Sequence, residues 1–199
     1  MKLRIATPND AAAVLSIYSQ YIHTPVTFEY ELPPQEEFAR RIGDTLKRYP
    51  YLVCADSGRL CGYAYAHRFG ERAAYQWSAE LSIYLDAGAT ARGIGRTLYS
   101  ALIELLRRQG IRTVCGCVTT PNPRSEKLHA KLGFRKVGTF RRSGYKNGGW
   151  HDVTWFEREI ISGEAPPREI TPFPQLDPQT VAGILDAARF SGTPGAVAP

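Results

Sequence analysis

One junction constrains the fold more than any other feature of the chain. The run "SAELSIYL", rich in β formers, leads through "DAGATARGIG" into "RTLYSALIELLRRQG", whose apolar residues recur at helical spacing. A strand thus passes into a helix through Gly93 and Gly95. Strands and helices are interspersed on both sides of this junction, which calls for a mixed α and β domain around a sheet.

The rest of the chain fits that plan. "TPNDAAAVLSIYSQYIH" predicts a first helix, with Thr7 as N-cap and Pro8 at its first position. "PQEEFARRIGDTLKRY" predicts a second, more polar helix, and "TPVTFEYELPP" joins the two as a loop with exposed aromatics. "YLVCADSGRLCGYAYAHRF" predicts two strands around a Ser-Gly turn, "TVCGCVT" a short apolar strand, and "PRSEKLHAKLGF" a helix stopped at Gly133. "FRKVGTFRRSGYKNGGWHDVTWFEREI" predicts strands separated by turns, one at "NGG".

A chain of 199 residues that is 43% hydrophobic suits one main domain. The domain is expected over residues 1–161, with a proline-dense tail over 162–199 that either wraps the surface or is mobile and carries a short helical patch at "TVAGILDAARF". No run of ~20 apolar residues suggests a membrane span, and the N-terminus lacks the pattern of a secretory signal. A cytoplasmic protein with no membrane partner is the expectation. The four cysteines, Cys54, Cys61, Cys115 and Cys117, show no paired C-x-x-C spacing, so buried thiols are expected and a metal is not.

A glycine turn that opens a helix points backbone N–H groups outward, at the positive end of the helix dipole, and attracts phosphate. Arg92 and Arg96 flank the turn and can add charge-assisted contacts, or else stand as solvated surface charges. The dinucleotide fingerprint needs a third glycine where Leu98 stands, and the ATP-binding P-loop needs Gly-Lys-Ser/Thr, which is absent. Both alternatives fail. The net charge of +6 is compatible with a polyphosphorylated ligand or with nucleic acid.

The segment "TARGIG" resembles the pyrophosphate loop of the GNAT acetyltransferase superfamily, with Thr90 where Gln or Arg is usual. "YPYLVCADSGRLCGYAYA", "AYQWSAELSIYL", "TPNPRSEKLHAKLGF" and "GTFRRSGYKNGGWHDVTWFERE" are together similar to its phosphinothricin acetyltransferase branch, over roughly residues 3 to 160. The resemblance implies an α+β GNAT acyltransferase fold, a central mixed, largely antiparallel sheet flanked by helices. It also implies acetyl-coenzyme A as co-substrate, a small-molecule amine acceptor such as an amino acid or its analogue, and a homodimer.

Residue by residue, the resemblance places Glu80 as general base, where a buried carboxylate would have a raised pKa. A structural Glu paired with an Arg is the alternative. Backbone N–H groups of Ile83, Tyr84 and Leu85 would hold the pantetheine arm and the thioester oxygen, and Ala91, Arg92, Gly93, Ile94, Gly95 and Arg96 the pyrophosphate. Asn122 is either a helix cap or a contact to the cofactor. His129 stands where many GNAT enzymes carry a tyrosine that protonates the thiolate, and a packed or solvated histidine is the alternative. Arg72 matches a position that would recognise the acceptor carboxylate. Related enzymes often add a basic residue and a tryptophan just before it, where this chain has Gly70 and Phe69. Phe28, Glu29, Tyr145 and His151 are candidates for the acceptor pocket, or ordinary loop and hairpin residues.

Three other classes stay in view: acetylation of a peptide or protein N-terminus, cofactor binding without catalysis, and a nucleic-acid module prompted by "FRRSGYKNGG". The basic residues are scattered along the chain, so no nucleic-acid partner is expected.

Overall fold

The computed structural model describes residues 1–89, 92–188 and 190. Seven strands, β1 (Lys2–Ile5), β2 (Tyr51–Asp56), β3 (Arg59–Arg68), β4 (Ser78–Leu85), β5 (Thr113–Thr120), β6 (Arg135–Lys146) and β7 (Gly149–Glu159), form one sheet in the order β1-β2-β3-β4-β5-β7-β6. Only β4 and β5 run parallel; every other neighbouring pair is antiparallel. The helices are α1 (Ala11–Ser19), α2 (Gln35–Leu46), α3 (Ile94–Gln109), α4 (Pro123–Lys131) and α5 (Pro178–Ala187).

Alternation along the strands gives the sheet two apolar faces. Leu52, Ala64, Leu81 and Val114 on one face pack with Leu98, Leu102, Leu105 and Leu106 of α3. Val53, Tyr51 and Tyr63 on the other pack with Val14, Ile17 and Tyr18 of α1 and with Phe38 and Ile42 of α2. Each fully buried leucine or phenylalanine contributes about 1.5–3 kcal/mol, so these two layers fix where α3 and the α1–α2 pair sit.

Local chemistry sets the ends of the elements. Gly93 and Gly110, at φ 77° and 95°, bracket α3 in the left-handed conformation that glycine adopts without strain. At the start of α4 the Asn122 side chain accepts from the Ser125 N–H at 3.2 Å, and Glu126 Oε1 accepts from the Asn122 N–H at 2.9 Å. Asn147 and Gly148 have φ of 53° and 76°, the pair of positive values that a two-residue turn between β6 and β7 requires.

Three features depart from the expectations. Cys117 is exposed, whereas Cys54, Cys61 and Cys115 are buried. The N-terminal "KLRI" is an edge strand paired with β2. The first helical stretch divides into a 3-10 turn at Pro8–Asp10 and the shorter α1. The proline-dense segment up to residue 188 lies along α3: Phe173 is buried, its N–H donates to the Arg48 carbonyl at 3.0 Å, and Gln109 Nε2 donates to both Arg48 O and Thr171 O. Leu176, Val181, Ile184 and Leu185 pack onto the same core as α3.

Candidate active site

The parallel ladder between β4 and β5 runs from Ser78↔Thr113 to Leu81↔Gly116 and stops there. Beyond that point β4 stays paired with β3 as far as Leu85↔Gly62, while β5 continues to Thr120 along β7. The two strands part, and the edge of β4 from Ser82 to Tyr84 faces a narrow slot of about 70 Å³ instead of a neighbouring strand. Ile83 and Tyr84 line one wall; Val118, Asn122 and His129 line the other. An unpaired strand edge exposes backbone amides that must find partners, so the slot suits a ligand with amide groups of its own.

The glycine turn sits at the head of α3. A Cβ on Gly95 would lie 3.4 Å from both Leu128 and Leu85, so the lack of a side chain lets the helix start close to β4 and α4. Ile94 is buried beneath the turn, and Arg92 and Arg96 are exposed above it. Arg92 is held by Asp56 at 2.7 Å, whereas Arg96 makes no ion pair among the described residues. Ala91 lies outside the described residues.

Glu80 stands at the fork, one residue before the last rung of the ladder, opposite His67 on β3 and Cys115 on β5. Burial raises its pKa, and His67, with Nε2 3.9 Å from Oε1, works partly against that shift. No arginine pairs with Glu80 among the described residues. The raised pKa makes this carboxylate more basic than an exposed one.

His129 is packed rather than solvated. Its ring is 2% exposed, stacks on Phe156 and meets Tyr99 and Phe134 edge-on. Nδ1 lies 2.9 Å from the Ser125 carbonyl, which makes it the protonated nitrogen; Nε2 is buried without a partner. Burial lowers its pKa, with the Ser125 bond opposing. At neutral pH this imidazole carries a lone pair at Nε2 and has no proton there to give, which argues against the expected donation to a thiolate in this arrangement.

Asn122 caps α4 and lines the slot with the same side chain; its oxygen is committed to Ser125, and its amide nitrogen has no such commitment among the described residues.

On the opposite face of the sheet lies a hollow of about 550 Å³ between α1, α2 and the strands, and Tyr84 lines both it and the slot. Tyr51 and Tyr65 stack with centroids 4.8 Å apart, Tyr63 stacks on Tyr84 at 5.4 Å, and burial raises all four phenol pKa values. Phe28 and Glu29, from the loop between α1 and α2, complete the wall. The tip of the β6–β7 hairpin fixes that loop: Lys146 Nζ donates to Thr27 O at 2.6 Å, Asn147 Nδ2 to His23 O at 2.8 Å, and Tyr30 Oη to Tyr145 O at 2.5 Å. A Cβ on Gly144 would fall within 2.8 Å of the Phe28 ring, so a glycine is needed where the ring lies on the hairpin.

The remaining candidates fall outside the lining of the hollow. His151 bonds back to Lys146 O at 3.0 Å, with its ring 6.4 Å from Phe28. Tyr145 is half exposed against Trp150. Arg72 is exposed, just before a 3-10 turn at Ala73–Tyr75, with no ion pair among the described residues. Conversely, Tyr18, Arg40, Arg41, Tyr65 and His67 line the hollow and did not emerge from the sequence. The alternation Tyr63, Tyr65, His67 was the available signal, since it puts three rings on one face of a strand. No cluster of three or more His, Cys, Asp or Glu side chains able to hold a metal occurs among the described residues.

The family profile described as acetyltransferase (GNAT) domain matches residues 3–155. The chain belongs to the GNAT acetyltransferase family. Within it, the chain is 37% identical over 177 residues to a phosphinothricin N-acetyltransferase of Streptomyces viridochromogenes, covering 88% of this chain and 96% of that one. An L-methionine sulfoximine/L-methionine sulfone acetyltransferase of Salmonella typhimurium is 29% identical over 168 residues, covering 83% and 98%. The crystal structure of a GNAT superfamily phosphinothricin acetyltransferase from Sinorhizobium meliloti in complex with AcCoA superposes with a TM-score of 0.81 at 34% identity, over 87% of this chain and 96% of that chain. The parted strands are thus found in a GNAT chain whose similarity to those proteins runs through the fork, the turn and the hairpin.

Proposed function

We propose that this GNAT acetyltransferase transfers the acetyl group of acetyl-coenzyme A to the amine of a small amino acid or analogue of the phosphinothricin and methionine sulfoximine type. One observation carries the reading: Glu80 stands where β4 and β5 part, next in the chain to Leu81 of the slot and opposite His67 of the tyrosine-walled hollow, with Tyr84 common to both cavities. The residues fit the co-substrate. The open β4 edge meets the amides of a pantetheine arm, and the turn at Gly93 and Gly95 with Arg96 meets a pyrophosphate. When bound, acetyl-coenzyme A supplies an activated acetyl thioester.

In this reading Glu80 takes the proton of the acceptor ammonium, directly or through water, and the rise in its pKa on burial makes it a stronger base for that task. The backbone N–H groups of Ile83 to Leu85 orient the thioester and stabilise charge on its oxygen. The unpaired amide of Asn122 contacts the cofactor. Arg72, exposed and with no ion pair among the described residues, takes the acceptor carboxylate as a bidentate pair. Phe28, Glu29 and the loop-holding residues Tyr145 and His151 shape the acceptor side. The thiolate's proton comes from solvent at the slot or from His129 after a change of its hydrogen bonds.

A homodimer belongs to the same proposal. Val137 and Phe140 on the edge strand β6 are 54% and 63% exposed, and with Phe69 and Trp155 they border an apolar groove suited to a second copy. No described helix is long and apolar enough to cross a membrane. The need for acetyl-coenzyme A points to the cytoplasm.

The deciding experiment follows free thiol release from acetyl-coenzyme A with amino acids, sulfoximines and short peptides as acceptors. Turnover with free amino acids or sulfoximines is the expected result. Turnover confined to peptides, or none with any amine, would overturn the proposal, and a single-chain mass by light scattering would overturn the dimer.

A further inference from the structure

The charges on the wall of the acceptor hollow are already spoken for. Arg41 pairs with Glu29 Oε1 at 2.8 Å and with Glu37 Oε1 at 2.9 Å. Arg40 pairs with Glu37 at 2.7 Å and with Asp44 at 3.0 Å. The nearby ammonium of Lys146 is committed to the Thr27 carbonyl. Burial opposes the charge on Arg41, and its bonds to Glu29 and Glu37 override that, so its pKa lies above the ordinary arginine value.

Glu29 is the unusual member. It enters from the loop between α1 and α2 rather than from α2 itself, and its second oxygen accepts from Tyr18 Oη at 2.7 Å. Tyr18 is 5% exposed and also bonds Thr27 Oγ1. The chain itself thus supplies the carboxylate that an anionic acceptor would otherwise bring to Arg41.

We propose that Glu29 is a specificity-determining residue: by occupying Arg41 it biases the enzyme, within that acceptor class, toward amino acids whose side chains are uncharged, seated beside the partly exposed ring of Tyr65. This rests on the acceptor site assigned above. A phosphinate or second carboxylate approaching Arg41 would meet Glu29 already on its Nη2, and the two anions would face one another in a site walled by aromatic rings. A sulfone or other neutral polar side chain meets no such opposition, and its polarisable surface gains from the rings.

Two measurements test this. In the first, kcat/KM is compared for L-methionine sulfone and L-phosphinothricin. The wild type favours the sulfone by about 10-fold or more, and Glu29→Gln, which leaves Arg41 short of one anion, moves the ratio toward phosphinothricin by about 10-fold. In the second, calorimetry with methylphosphonate as the probe needs no turnover. It detects binding to Glu29→Gln, weaker or none to the wild type, and none to Glu29→Gln combined with Arg41→Gln. Should Glu29→Gln not fold, Tyr18→Phe, which takes away one of the bonds holding Glu29, shifts the ratio the same way by about 3-fold. A wild-type preference for phosphinothricin, a ratio unmoved by the variants, or equal methylphosphonate binding to wild type and Glu29→Gln overturns the inference. Failure to acetylate any amino acid would sink the proposed function instead, and the calorimetric result would still decide the role of Glu29.

Discussion

Gly116 and His129 occupy one space, and replacing the glycine by alanine measures how tightly that space is filled. A Cβ at position 116 would lie 3.0 Å from His129 Cδ2 and 3.3 Å from Cε1, with Nε2 nearer still. The ring has little room to retreat, because Phe134 and Phe156 stand with centroids 5.0 Å away and Ser125 holds Nδ1. Overpacking of this kind costs about 1–3 kcal/mol. For a chain of this size that is a fall in Tm of about 2 to 12 °C. His129→Ala alone, which empties a ring-sized space, costs about 2 kcal/mol or more. In the double variant the new methyl occupies part of the vacated volume, so the two losses together should fall short of their sum by about 1 kcal/mol. Thermal melts of the four proteins by circular dichroism give the cycle. Strict additivity, or a Gly116→Ala protein that melts with the wild type, would refute the packing argument.

Three further outcomes follow from the same geometry. Glu80→Gln should lower kcat by about 100-fold at neutral pH, with partial recovery as the pH rises and acceptor amines deprotonate by themselves. Because the folded state raises the Glu80 pKa, it binds that proton more tightly than the unfolded chain does, and ionising the group costs stability as pH rises through the raised pKa. Glu80→Gln should therefore melt no lower than wild type at pH 7, and a lower Tm with unchanged kcat would make the carboxylate structural. Gly93→Val forces a β-branched residue to φ 77° and should weaken acetyl-coenzyme A binding by about 10-fold or more in calorimetry; unchanged affinity in a folded variant would move the pyrophosphate site elsewhere. Phe173→Ala should cost about 2–4 kcal/mol in denaturant unfolding, and a loss below 0.5 kcal/mol, on the order of a surface substitution, would show that the C-terminal segment contributes nothing to the core.

Much of the fold was legible because its signals are local. A Ser-Gly turn, a glycine pair opening a helix, Asn-Pro starting another and Asn-Gly-Gly closing a hairpin each act within a few residues. What the sequence missed or left open had non-local causes. "KLRI" is four residues long and becomes a strand only because β2 offers it an edge. The C-terminal segment reads as proline-rich and polar, and is ordered by Arg48, Trp77 and Gln109, far away in sequence. The acceptor side shows the same limit. Arg72 is marked by its neighbours in the sequence, yet Arg41 reaches the hollow because Glu29 and Glu37 draw it there. His129 sits at an expected position, but burial and Ser125 choose its tautomer.

The clasp between the hairpin tip and the loop after α1 also sets a timetable for folding. Lys146 meets Thr27, Asn147 meets His23 and Tyr145 meets Tyr30 across 119, 124 and 115 residues of chain. Contacts of such separation carry the largest loop-closure entropy and form after the local helices and turns. During synthesis α1, α2 and the first strands can assemble while the loop bearing Phe28 and Glu29 still lacks its anchor. The acceptor hollow takes its final shape only once the hairpin has emerged, so this wall is the last part of the site to be built as the chain is synthesised.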